Sequence, residues 1–69
     1  MDITGLLEGD IALVEECQNR RLMEHGFVRD TPIQIYKKLP GITCVQVRGA
    51  IIACRDYDLA KITVKEYTK

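Results

Sequence analysis

Thr31-Pro32-Ile33-Gln34-Ile35-Tyr36-Lys37-Lys38-Leu39-Pro40-Gly41-Ile42-Thr43-Cys44-Val45-Gln46-Val47-Arg48-Gly49-Ala50 is the stretch on which the fold turns. Ile33, Ile35 and Lys37 alternate with Gln34, Tyr36 and Lys38, the period of two of a half-buried strand. Pro32 lacks an N–H, so it belongs at the strand's start or edge. Leu39-Pro40-Gly41 is a tight turn, Pro-Gly being among the clearest breakers. Thr43 to Arg48 then resumes the alternation, with Val45 and Val47 on one face and Gln46 and Arg48 on the other. Gly49 allows a bend or hairpin turn before the next strand, Ala50 to Arg55, where Ile52 and Cys54 share a face.

Working outward, Leu6 to Asp10 forms a turn and Ile11 to Val14 a short apolar strand. From Cys17 to His25 the residues become unbranched helix formers, and Gly26 supplies the left-handed stop. A helix this short must dock on the sheet, here through Leu22 and Met23 with Cys17. On the C-terminal side, Asp56 to Ala60 fits one helical turn with Asp56 as N-cap, and Ile62 and Val64 mark a fifth strand. The tail Tyr67-Thr68-Lys69 is expected to fray. Short strands at spacings of about 8–12 residues with one short helix indicate a mainly β, partly open small barrel. Its expected interior is Leu13, Leu22, Ile33, Ile35, Val45, Val47, Ile52, Ile62 and Val64. One domain spans residues 1–69, since a chain this short holds a single core.

Composition narrows the function. Ten basic residues balance ten acidic ones, so no net field draws the chain to nucleic acid or anionic membrane. The longest apolar run, Gly49 to Cys54, is far too short to span a bilayer. Met1 is followed by Asp2 rather than a basic and then apolar segment, so the expected location is the cytosol. Cys17, Cys44 and Cys54 are odd in number and form no C-x-x-C pair, which suits reduced, mostly buried thiols rather than a disulfide framework.

Catalytic chemistry is missing from the sequence. The glycines are scattered at turns, serine is absent, and His25 stands beside Glu24, whose side chain points elsewhere on a helix. The expectation is a chain that is not an enzyme and carries no cofactor. Cys17, His25, Cys44 and Cys54 are the ligand types that transition metals prefer, yet none of them shows ligand spacing, so no metal site is assigned. A metal-binding regulatory domain remains one alternative. A nucleic-acid-binding barrel is the other, resting on Arg20-Arg21, Lys37-Lys38 and the neighbouring Tyr36, but it lacks the several aromatics that stacking readers use.

Along the chain come, in order, Arg21-Leu22-Met23-Glu24-His25-Gly26-Phe27; Thr31, Ile33 and Ile35; Pro40; Val45-Gln46-Val47-Arg48-Gly49; Ile52-Ala53-Cys54-Arg55; Asp58-Leu59-Ala60; and Ile62-Thr63-Val64. This order of pieces resembles the FeoA family. The resemblance covers about residues 9–65. Arg29-Asp30 stands where the family usually has Pro-Gly, and His25 where it commonly has an apolar residue. The resemblance implies an SH3-like barrel, accessory to the ferrous iron transporter FeoB and acting by protein–protein contact with its cytosolic GTPase part. The zero net charge and few aromatics lead to the expectation of no nucleic-acid partner, and the short apolar runs to that of no membrane insertion. The expected contact site is the turn with its strand flanks: Tyr36, Leu39, Pro40 and Gly41.

Overall fold

The alternation from Pro32 onward builds the middle of one antiparallel sheet. The computed structural model describes residues 1–67; the expectation for Thr68 and Lys69 lies outside the described residues. A short 3-10 turn at Ile3–Gly5 is followed by β1 (Ile11–Cys17), α1 (Arg20–Glu24), β2 (Pro32–Leu39), β3 (Ile42–Val47), β4 (Ala50–Arg55), α2 (Asp56–Leu59) and β5 (Ile62–Glu66). The strands lie in the order β4-β3-β2-β1-β5, so the last strand pairs with the first. β4 and β5 are the two edges, and the barrel is therefore partly open.

Two bulges set which side chains point inward. In β1 the register shifts between Val14 and Glu16, which keeps Ala12, Val14 and Cys17 on the inside despite the odd spacing. In β2 it shifts between Ile35 and Lys37, leaving Tyr36 as the extra residue. A bulge of this kind bends the strand and re-aims its remaining side chains. Past Tyr36, Lys38 turns inward and Leu39 outward, and the simple alternation read for Lys37 and Lys38 ends.

The interior gathers Val14, Ile33, Ile35, Val45, Val47, Phe27, Leu59 and Ile62 with the N-terminal Ile3 and Leu6. Leu13 is corrected by this arrangement: it is only partly buried, because β1 faces the core with Ala12 and Val14. Ile52 is partly buried and packs against the core from β4. Phe27, Leu59 and Ile3 are core residues that no strand period points to, since each arrives from a turn or short helix.

The helix is shorter than the composition suggests. β1 runs on through Cys17, so that residue belongs to the sheet, and Met23 faces solvent rather than the core. Asn19 caps α1, its side-chain oxygen accepting from the Leu22 N–H at 3.2 Å. At the other end the Phe27 N–H reaches the Leu22 carbonyl (3.2 Å) and the Gly26 N–H the Met23 carbonyl (3.0 Å). That is a Schellman termination, with Leu22 and Phe27 as its buried pair and Gly26 at φ +110°. Asp56 is not a cap either: Arg55 holds that position without a side-chain bond, while Asp56 accepts from the buried Thr43 hydroxyl at 2.8 Å.

Candidate functional site

Inward and outward residues separate cleanly on β3, with Thr43, Val45 and Val47 inside and Ile42, Cys44 and Gln46 outside. Strand pairing carries the outer row sideways. Ile42 stands opposite Leu39 on β2 and Arg55 on β4, Cys44 opposite Lys37 and Ala53, and Gln46 opposite Gln34 and Ile51. The β2 bulge leaves Tyr36 exposed beside that row. The result is an outer face carrying Tyr36 (59% exposed), Leu39 (45%), Ile42 (38%) and Ile51 (52%). Single exposed apolar residues are ordinary, whereas several on one face are the form that a contact surface takes.

Of the residues expected to make contact, Leu39 is the last residue of β2 rather than part of the turn, and Pro40 and Gly41 form the exposed turn after it. Tyr36 and Leu39 are joined on this face by Ile42 and Ile51, which a turn-centred reading misses. The signal for them is present in the sequence: Ile42 and Ile51 stand on the opposite phase from Val45 and Ile52. Lys38, by contrast, is occupied. Its ammonium donates to the carbonyls of Thr4 (3.2 Å) and Leu6 (2.8 Å), and its N–H donates to the Glu8 carboxylate (2.7 Å). The basic pair Lys37-Lys38 is thus split between the outer face and the N-terminal segment.

The thiols and the histidine lie apart. Cys17 is buried, its Sγ donating to the Asn19 carbonyl at 3.3 Å, Cys44 is on the outer face, and His25 is exposed at the end of α1. Cys54 is buried on the inner side of β4, and burial pushes its thiol up to about 11, with Asp58 adding to the effect. Among the described residues no three His, Cys, Asp or Glu side chains come together as a metal would need. No helix of the described residues is long and apolar enough to cross a membrane.

A mainly β, SH3-like barrel with several apolar residues on its outer face defines a class of small β-barrel domain. A profile described as FeoA domain matches residues 1–66, and the chain belongs to that family, whose members are small accessory proteins of ferrous iron transport. A solution NMR structure of a FeoA protein from Chlorobium tepidum is similar at 27% identity and a TM-score of 0.89, over 99% of this chain and 71% of that one. Among curated proteins none matches.

Proposed function

We propose that the chain acts in the cytosol on a FeoB-type ferrous iron transporter, binding its cytosolic GTPase part and modulating uptake without catalysis of its own. The observation that carries this is the apolar outer face at Tyr36, Leu39, Ile42 and Ile51, next to the turn Pro40-Gly41, on a chain of an iron-transport family. An adaptor alters a transporter only by binding one of its states better than another. The interface is modest and transient, on the order of 1,200 Å² or less in total.

The test is ferrous iron uptake in cells lacking the gene, complemented by wild type or by Leu39→Asp. Leu39 is exposed at a strand end, so the substitution leaves the core intact while placing a charge in the contact. Wild type restores uptake and Leu39→Asp does not. Full rescue by Leu39→Asp moves the contact elsewhere on the molecule. Unchanged uptake on deletion, with an altered RNA or DNA phenotype, replaces the transporter by nucleic acid.

A further inference from the structure

The two edges of the sheet are treated differently. At β5 the N-terminal segment covers the edge: the Val64 N–H donates to the Met1 carbonyl at 2.8 Å, and Asp2 bridges Thr63. At β4 nothing comparable is present among the described residues. The strand pairs with β3 in unbroken register from Ala50 to Arg55, with no bulge and no proline or lysine. Those are the features that usually blunt an edge.

The spare backbone groups can be named. The two-residue connection Arg48-Gly49, both at positive φ, makes Val47 and Ala50 a hydrogen-bonded pair. Bonded and non-bonded pairs then alternate, so Ile52 and Cys54 bond to β3. The Asp56 N–H donating to the Gly41 carbonyl at 3.0 Å continues the same phase. The N–H and C=O of Ile51 and Ala53 therefore point away from the sheet, and no other backbone bond takes them up among the described residues.

Alongside this edge runs a cleft of about 320 Å³ between β4 and α1, lined by Leu22 and Ile52 at its base and by Arg21, His25, Arg55 and Asp58 around it. Its one carboxylate, Asp58, accepts from the Asn19 amide at 3.5 Å. Among the described residues the single ion pair is Lys65–Asp30, so neither Arg21 nor Arg55 has a carboxylate at bonding distance.

We infer that the β4 edge takes an extended segment of another protein as a sixth strand, one that carries a carboxylate between Arg21 and Arg55. The exposed N–H and C=O of Ile51 and Ala53 supply the main-chain bonds of such an addition, and the alternate side chains of the incoming strand enter the cleft over Leu22 and Ile52. Charge selects this occupant over a second copy of the chain. Pairing β4 with itself about a two-fold axis brings one cleft's Arg21 and Arg55 toward those of the other, an unfavourable like-charge arrangement. The site shares Arg55 with the outer row and otherwise uses the backbone and inner side of β4; Leu39, two strands away on β2, does not line it.

The probe is a capped nine-residue peptide of alternating valine and threonine with one central glutamate, compared with the same peptide carrying lysine there. Titrated into the ¹⁵N-labelled full chain, the glutamate peptide shifts the Ile51 and Ala53 amides, slows their hydrogen exchange, and binds at least about tenfold more tightly than the lysine peptide. Arg21→Glu, a change on the exposed side of α1, removes that preference. Ala53→Pro deletes an edge N–H at a position where proline is tolerated, and abolishes the exchange protection. No shift with either peptide, or equal affinity for both, overturns the proposal. So does concentration-dependent dimerisation of the free chain that Ala53→Pro abolishes, which gives the edge to a second copy.

Discussion

Cys54 and Cys44 sit one residue out of phase across adjacent strands, and that single step separates their chemistry. Cys54 points inward, where burial holds the thiol neutral up to about 11, while Cys44 lies on the outer face. Alkylation needs the thiolate and access. Iodoacetamide at pH 8 should therefore label Cys44 first and leave Cys54 unmodified until the chain unfolds, as read by peptide mass spectrometry. The raised thiol also makes stability depend on pH in a definite direction. Between about 9 and about 11 the unfolded chain loses the Cys54 proton and the folded chain keeps it, so stability is full below this window and falls through it. Cys54→Ala should flatten that decline in denaturant midpoints; an unchanged slope would remove Cys54 as its source. Asp30 likewise owes its behaviour to its position. It stands where the family usually has a glycine and adopts φ +68°, which Asp tolerates better than most side chains, and its carboxylate is held low chiefly by the Lys65 ammonium at 2.7 Å.

At the level of elements, α1 is one turn of helix held almost entirely by its ends. Asn19 satisfies the Leu22 N–H, and Gly26 permits the reversal that puts Phe27 in the core. A Cβ on Gly26 would lie 2.9 Å from the Arg48 Cδ and 3.3 Å from the Val47 Cγ2. Gly26→Ala should cost at least about 1–2 kcal/mol from its backbone conformation alone. Asn19→Ala should cost about 1 kcal/mol through the lost cap. Urea unfolding checks both, and a Gly26→Ala loss no larger than that of Asn19→Ala would contradict the account of the termination. Much of the element order is legible in the sequence, because Ile33, Ile35, Val45 and Val47 carry a period of two and Pro40-Gly41 and Gly49 mark the turns. The bulges are not. Nothing in Glu15 or Tyr36 announces an extra residue, since a bulge arises from the match between two strands rather than from either one. Leu13 is a separate case, since Ile11-Ala12-Leu13-Val14 is apolar throughout and carries no period of two. Although the outward phase of Ile42 and Ile51 can be read from the sequence, the pairing that sets Ile42 opposite Leu39 emerges only with the register.

For the whole molecule, the interior is one cluster to which every element contributes, from Ile3 near the start to Val64 near the end. A small domain with one core has little stability to spare. Ile35→Ala, at a fully buried central position, should lower stability by roughly 2–5 kcal/mol, and an unchanged denaturant midpoint would remove Ile35 from the core. The arrangement of strands has a further consequence in time. β1 is paired with β5 along its length, Ala12 opposite Glu66 and Cys17 opposite Ile62, so the first strand made waits for the last. At a synthesis rate of about 5–20 residues per second, that wait lasts on the order of seconds. During it the inner residues Ala12 and Val14 have no closing strand, and the β1–β5 loop closure, being the longest between paired strands, is the slow entropic step that remains. Native structure is therefore acquired late and at once, after synthesis has passed β5 rather than strand by strand behind the ribosome.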